Sequence, residues 1–327
     1  MHIDELICPI ASRINPHYEQ VLEASKSWVG DHGLVSEGRA TRTFDRLRIP
    51  EFVARAYPYA SAHDLRIVTD WTVWGFLADD EHDRLTHRPD LLRRRFLEHV
   101  QVLEGDMCAA LATTDLALAD LRARILHRSN QSTLHRFARS AAEWFDSMHW
   151  EATHRSRGTR PTLAEYLRAR EVTVGMYTEY ALFDVTHQVE TSPDFWNRPD
   201  LRLLMAMAAN VIGWSNDLFS FAKEREIGDP HNLVLLLLAD PARDEEMACR
   251  TVVEMHNDEM LRFLALSEST MQSRDGTVRA FVQMLHHWIR ANMDWARASN
   301  RYGLNPAPSR VPEPRIDREW SPRALAA

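Results

Sequence analysis

The sequence predicts an all-α protein folded as one domain, and three observations carry that expectation. Apolar residues recur at helical spacing along almost the whole chain of 327 residues. Alternating Val/Ile/Thr runs are absent, and only 11 glycines punctuate the chain. No internal repeat and no linker rich in Pro or Gly parts the chain into two units. Hydrophobic residues make up 45% and charged residues 26%, enough apolar material for a sizeable core. The pattern amounts to a bundle of about ten helices, many of them apolar on more than one side.

The elements follow in order. Residues 17–30 read as one helix. The next covers about 62–82, where Ile67, Trp71, Trp74 and Ala78 form an i, i+4, i+7, i+11 stripe. Further helices fit about 90–110, 115–127, 131–155, 162–188, 199–226, 243–270 and 276–302. The breaks between them carry turn chemistry: "RPD" at 88–90, "RGTRPT" at 157–162, "TSPDF" at 191–195, "IGDPHN" at 227–232 and "DPARD" at 240–244. Inside 162–188, "EVTVGMY" (171–177) sets three β-branched residues and a glycine where they weaken a helix. The last residues, 306–327, are rich in Pro and polar side chains and read as a tail or lid beyond a single domain at 1–305.

Charge and cysteine usage exclude several classes. With 47 acids against 39 bases the net charge is −8, and the most basic run, "LLRRRF" (91–96), is short, so nucleic acid is not an expected partner. Cys8, Cys108 and Cys249 lie far apart with no CxxC, as in a reduced protein. "MHIDELICPI" has acids where a signal peptide needs bases, and the longest apolar runs, such as "LVLLLLA" (233–239), are too short to span a bilayer. A cytoplasmic protein with no membrane partner is the expectation.

The chemistry sits in two clusters. "FLADDEHDR" (76–84) closes the apolar helix at 62–82 with Asp79, Asp80 and Asp83. Asp79 and Asp83 are i and i+4, on one face, and the preceding turns of that face hold Phe76, Gly75 and Thr72, residues suited to a cavity wall. Carboxylates at a helix C-terminus oppose its macrodipole, whereas hard cations such as Mg²⁺ favour such oxygens. In the helix at 199–226, Asn216, Ser220 and Glu224 follow at i, i+4, i+8, three oxygen donors spread over about 12 Å. Each has a plain structural alternative: Ser220 bonding back to a carbonyl, Glu224 and Lys223 as exposed polarity, the first acids as a solvated helix end. The two clusters together argue for metal.

"DDEHD" (79–83) and "NDLFSFAKE" (216–224) resemble the DDxxD and NDxxSxxKE motifs of bacterial class I terpene synthases. Arg170, forty-six residues before Asn216, matches that family's diphosphate-sensing arginine, and Arg301–Tyr302 matches its RY pair. The likeness runs from "SRINPH" (12–17) to Arg301–Tyr302 and implies a single-domain helical bundle around a central apolar cavity. It also implies Mg²⁺-dependent ionisation and cyclisation of an isoprenyl diphosphate, farnesyl diphosphate being the commonest substrate of such bacterial enzymes. Three Mg²⁺ are implied, with Mn²⁺ as a substitute. Asp79 would hold two of them, helped by Asp83, and Asn216, Ser220 and Glu224 the third. Arg170, Lys223, Arg301 and Tyr302 would bind diphosphate, and Asp80 would pair with Arg170. Thr173, Val174 and Gly175 fall at the linker and effector positions, where many members carry an Asp instead of Thr173. Phe76 and Trp288 are the candidate cation-stabilising aromatics, with ordinary core packing as the alternative. The family includes monomers and homodimers.

Rival readings leave more unexplained. A chain-elongating prenyltransferase normally carries a second aspartate-rich motif where this chain has Asn216, Ser220 and Glu224. An HD-type phosphohydrolase would use His63–Asp64 or His82–Asp83. A di-iron bundle would need a second copy of Glu151-x-x-His154. A non-catalytic helical interaction protein would make the acids surface decoration.

Overall fold

The computed structural model describes residues 3–35, 46–82 and 85–299, the side chains of residues 79–81 excepted. Asp79 and Asp80 are thus placed by backbone only, while Asp83, Arg301, Tyr302 and the tail at 306–327 lie outside the described residues. Among the described residues the regular elements are helices. They are α1 (Tyr18–Asp31), α2 (Ile49–Ala56), α3 (Ala62–His82), α4 (Pro89–Glu104), α5 (Thr113–Arg128) and α6 (Gln131–Arg157). Four shorter pieces follow: α7 (Leu163–Thr173), α8 (Met176–Ala181), α9 (Phe183–His187) and α10 (Pro193–Asn197). Then come α11 (Pro199–Ile227), α12 (Leu233–Leu237), α13 (Glu245–Thr270) and α14 (Gly276–Ala298).

The long helices stand where the periodicity puts them, and the differences have local causes. The single helix expected over 162–188 is three. It opens on a capping box, Thr162 accepting from Glu165 N and Glu165 from Thr162 N. It breaks at Gly175, whose φ of +79° is left-handed. A Cβ there would also lie 3.3 Å from the Trp144 indole nitrogen, so only glycine serves on both counts. The helix expected over 90–110 stops at Glu104, and a separate turn, Met107–Ala109, starts where Asp106 accepts from Cys108 N. The expected helix at 276–302 is observed to Ala298. Helices α2, α10 and α12 are too short for a periodic signal. Proline at the first turn starts α2 and α10, and the Asn232 side chain starts α12 by accepting from Val234 N and Leu235 N.

Helix α11 is the central element. Its buried residues run from Leu201 to Phe221 on more than one face, and it packs against α13, α14 and α7. Helix α14 in turn packs on α2, and α2 on α3. Trp71, Trp74 and Trp288 are fully buried within one hydrophobic core. Around this frame α3, α6, the α7–α8 break, α11 and α14 leave a space between them that the core does not fill.

Candidate active site

That space is a cavity of about 320 Å³. The middles of α3 and α14 give it an aromatic and apolar wall, with Trp71, Gly75 and Phe76 on one side and Trp288 and Trp295 on another. Trp288 stands edge-on to Phe52 at 5.2 Å and to Tyr57 at 5.4 Å, and Phe76 edge-on to Trp295 at 5.6 Å. The C-terminal ends of α3 and α11 contribute polar groups to the same cavity: His82 from one, Asn216, Lys223 and Glu224 from the other. The middle of α3 is therefore cavity wall, and its last residue, His82, stands at the polar side of the same cavity.

Arg170 organises the second cluster. Its Nη2 donates to Asn216 Oδ1 at 2.9 Å and to the Gly213 carbonyl at 3.3 Å, and pairs with Asp217 Oδ1 at 2.9 Å. Its Nη1 donates to Thr173 Oγ1 at 3.3 Å, so the arginine touches the residue that ends α7. Its buried Nε has no acceptor among the described residues. Burial works against its charge, but Asp217 and Tyr166 outweigh that and hold the guanidinium firmly protonated. Asp217 also accepts from the Tyr166 hydroxyl at 2.8 Å and from Leu233 N at 3.1 Å. The described partners of Arg170 are thus on α7 and α11.

Glu224 is fixed from behind. Asn232 Nδ2 donates to Glu224 Oε2 at 2.7 Å and to the Asp217 carbonyl at 2.7 Å, while the same amide's oxygen caps α12. Burial, reinforced by the charge of Asp217, pushes the Glu224 carboxyl up to about 7. Ser220 Oγ donates to the Asn216 carbonyl at 2.8 Å, the plain alternative named above, which leaves its lone pairs uncommitted. Helix α11 ends in a Schellman turn: Gly228 N reaches the Arg225 carbonyl and Asp229 N the Glu224 carbonyl, with Gly228 at φ +73°. That turn delivers Asp229 to Arg155, 2.8 Å away on α6, and to His231, 2.9 Å away. Burial works against the Asp229 charge, but His231 and Arg155 overcome it and hold the carboxyl below the usual carboxylate range.

The donor set fits a hard cation. Among the described residues no three His, Cys, Asp or Glu side chains gather as a metal cluster. What α11 presents instead is an amide oxygen, a hydroxyl and a carboxylate raised by burial, which a divalent ion would relieve. Two of the rival sites are engaged in ordinary structure, while Asp83 of the His82–Asp83 pair lies outside the described residues. Asp64 is held by Arg128 at 2.7 Å with His63 largely exposed, Glu151 pairs with Arg155, and His154 contacts Thr159.

Several participants were not read from the sequence. Asp217 stood beside Asn216 in "NDLFSFAKE" and could have been found as the fixed partner of a buried arginine. Asn232 lay in a stretch read only as a turn. Arg155, Asp229, His231 and Glu179 carried no periodic or motif signal at all.

Small polar metabolites have no use for walls of this kind, whereas a long hydrocarbon carrying a diphosphate does; the cavity is that of an isoprenoid-diphosphate enzyme. The chain belongs to the terpene synthase family. The family model for terpene synthase family 2, C-terminal metal binding, matches residues 70–262, which include both motifs. The chain is 31% identical over 307 residues to a (+)-T-muurolol synthase, (2E,6E)-farnesyl diphosphate cyclizing, of Roseiflexus castenholzii, covering 91% of this chain and 93% of that protein. It is 30% identical over 306 residues to a germacrene A synthase of Nostoc punctiforme, covering 91% and 94%. The crystal structure of an α-eudesmol synthase superposes with a TM-score of 0.79 at 25% identity, covering 89% of this chain and 97% of that one. The all-α class I fold and the terpene synthase activity, that of a lyase, follow, and the elongase and phosphohydrolase readings lose their support. No helix among the described residues is long and apolar enough to cross a membrane.

Proposed function

We propose that this chain ionises farnesyl diphosphate and cyclises the resulting cation to a sesquiterpene, using three Mg²⁺. The observation that carries the reading is the junction of an aromatic, apolar cavity with Arg170 and the Asn216–Ser220–Glu224 face. The likeness to the Roseiflexus castenholzii synthase, which cyclises (2E,6E)-farnesyl diphosphate, supports the chain length.

Asn216 Oδ1, Ser220 Oγ and the Glu224 carboxylate would hold one ion, and Asp79 with Asp83 the other two. When bound, the ions supply Lewis-acid stabilisation of charge on the departing diphosphate. Arg170 and Lys223, with Arg301 and Tyr302, would bind diphosphate oxygens; the free Nε of Arg170 gives it a donor to spend there. The allylic C–O bond breaks with its electron pair going to the diphosphate oxygen. Arg170 already touches Thr173, which supports the reading of Thr173 as linker and Val174–Gly175 as the effector break. Asp80 as a later partner of Arg170 belongs to the same proposal. The cavity wall keeps water from the cation while it cyclises, and the faces of Phe76 and Trp288 stabilise it.

The test is incubation with geranyl, farnesyl and geranylgeranyl diphosphate in turn, with Mg²⁺ and with chelator, followed by gas chromatography with mass detection. A cyclic sesquiterpene from farnesyl diphosphate, dependent on Mg²⁺, is expected. A product from another chain length alone would overturn the substrate, and a product indifferent to chelator would overturn the metal.

A further inference from the structure

Glu179 is a carboxyl group in the wall of a cavity built for hydrocarbon, and nothing above gives it a role. It lies on α8, the short helix after the Gly175 break, and is 6% exposed. It lines the same cavity as Phe76 and Trp288. Among the described residues no cation pairs with it; its side chain meets only two hydroxyls. Tyr57 donates to the Glu179 backbone carbonyl at 3.0 Å and lies 3.3 Å from Oε2, and Thr72 Oγ1 lies 2.9 Å from Oε1.

The protons on those hydroxyls can be counted. Each hydroxyl has a single one. Thr72 Oγ1 lies 2.8 Å from the Val68 carbonyl, the i−4 group of its own helix, which can only accept. Tyr57 makes its shorter contact to a carbonyl as well. Each hydroxyl divides its single proton between a carbonyl and the carboxyl, so Glu179 has only two shared neutral donors, and no cation among the described residues, to hold it as a carboxylate. Burial pushes Glu179 up to about 8, and the two hydroxyl donors, Thr72 and Tyr57, oppose this only in part.

The placement is specific. Thr72 is one helical turn before Phe76, and Tyr57 stands against Trp288. The acid and the two rings proposed to stabilise cations line one cavity, and each of its hydroxyl partners is a neighbour of one of those rings.

Resting on the terpene-cyclase reading above, we propose that Glu179 is the internal acid of the cyclisation, giving a proton to a neutral olefin formed part-way and recovering one at the end. In the first stage the ionised substrate closes a ring and loses a proton to the released diphosphate, leaving a neutral cyclic polyene. An alkene π pair then takes the Glu179 proton. A C–H bond forms, the O–H bond breaks, and a tertiary cation faces a carboxylate. The low dielectric that disfavours an isolated carboxylate strengthens its attraction to that cation. The cation attacks a second π bond to close another ring. A neighbouring C–H bond then breaks, its electrons make the product alkene, and its proton restores the carboxyl. The balance is one proton out with diphosphate and an unchanged Glu179.

The experiment is turnover of farnesyl diphosphate with Mg²⁺ in D₂O. The parent product should gain about one mass unit at carbon, since the carboxyl proton exchanges with solvent. In Glu179→Gln, which keeps the shape and has no acid proton, the label should fall about tenfold or more, and an olefin with fewer rings should accumulate. An unlabelled parent product overturns the proposal, and so does a Gln variant labelled like the parent. Should the Gln variant fail to fold by circular dichroism, Thr72→Val decides: it keeps the carboxyl and removes its hydroxyl partner. An altered labelled fraction supports the proposal, and an unchanged one overturns it. A parent that releases no diphosphate with Mg²⁺ is a different result, which fails the cyclase reading and takes this proposal with it.

Discussion

Glu224 and Glu179 line one cavity, and burial pushes both carboxyls up, to about 7 and about 8. Their surroundings differ. Glu224 accepts from the Asn232 amide, has Arg170 within electrostatic reach and is repelled by Asp217. Among the described residues Glu179 has two hydroxyls and no cation beside it. The same shift therefore marks two uses. In the proposed site Glu224 is the ligand, because a divalent ion would bring it back to its charged form. Glu179, which burial raises further and which only neutral donors touch among the described residues, is the proposed acid. A raised carboxyl in an active site is ambiguous until the donors around it are counted.

The largest effect should come from the metal side. Asn216→Ala removes one ligand oxygen but leaves Arg170 paired with Asp217 at 2.9 Å, so the buried arginine keeps its counter-charge. Mg²⁺-dependent diphosphate release should fall on the order of 1,000-fold, the equivalent of several kcal/mol of lost transition-state stabilisation. The melting temperature should move by no more than about 4 °C. Full activity in this variant would remove α11 from the metal site and with it the contrast between the two carboxyls.

A smaller effect should appear in the pH dependence of metal affinity. In the proposed site Mg²⁺ would take the Glu224 carboxylate, and below about 7 a proton would compete for it. Apparent Mg²⁺ affinity should therefore weaken as pH falls from about 8 to about 6, by at most about tenfold per unit. Asn232→Leu removes the donor that favours the charged form, and should displace this dependence to higher pH. Titrating Mg²⁺ against diphosphate release across that range is the measurement. A midpoint that does not move with pH would mean that Glu224 is already ionised without the ion.

How much of this was legible in the sequence follows the same division. Helices α3, α6, α11, α13 and α14 were readable because each keeps an apolar 3.6-residue period over five turns or more. The face shared by Asn216, Ser220 and Glu224, the proposed ligands, was readable because residues four apart lie on one side of a helix. Arg170 and the weakness at "EVTVGMY" were readable too, the one through its spacing from Asn216, the other through its β-branched residues and glycine. Glu179 was not. Its neighbours in "MYTEYALF" give an acid inside an apolar run, which a surface turn would also give. Only the fold brings Tyr57 and Thr72, distant in the chain, onto its two oxygens. The pairing of Arg170 with Asp217 was hidden for the same reason: which of several acids meets an arginine depends on helix packing rather than spacing.

The smallest effect, and the one that isolates Glu179 without any substrate, is on stability. The folded carboxyl holds its proton up to about 8, while the unfolded chain loses it near 4.5. Between those values the native state binds the extra proton, so raising the pH stabilises the unfolded state relative to the folded one. The slope for one such group is at most about 1.4 kcal/mol per pH unit. Glu224 and Asp217, also raised by burial, act with the same sign, and Glu224 stops contributing near 7. Above that pH the loss should come increasingly from Glu179. Glutamine has no proton to lose, so Glu179→Gln should flatten the fall of melting temperature with pH, and its melting temperature should rise relative to the parent's from about pH 6 to about pH 8.5. Identical slopes in the two proteins would mean that Glu179 is already a carboxylate at neutral pH. The two carboxyls would then differ only in degree, and the internal acid would have no proton to give.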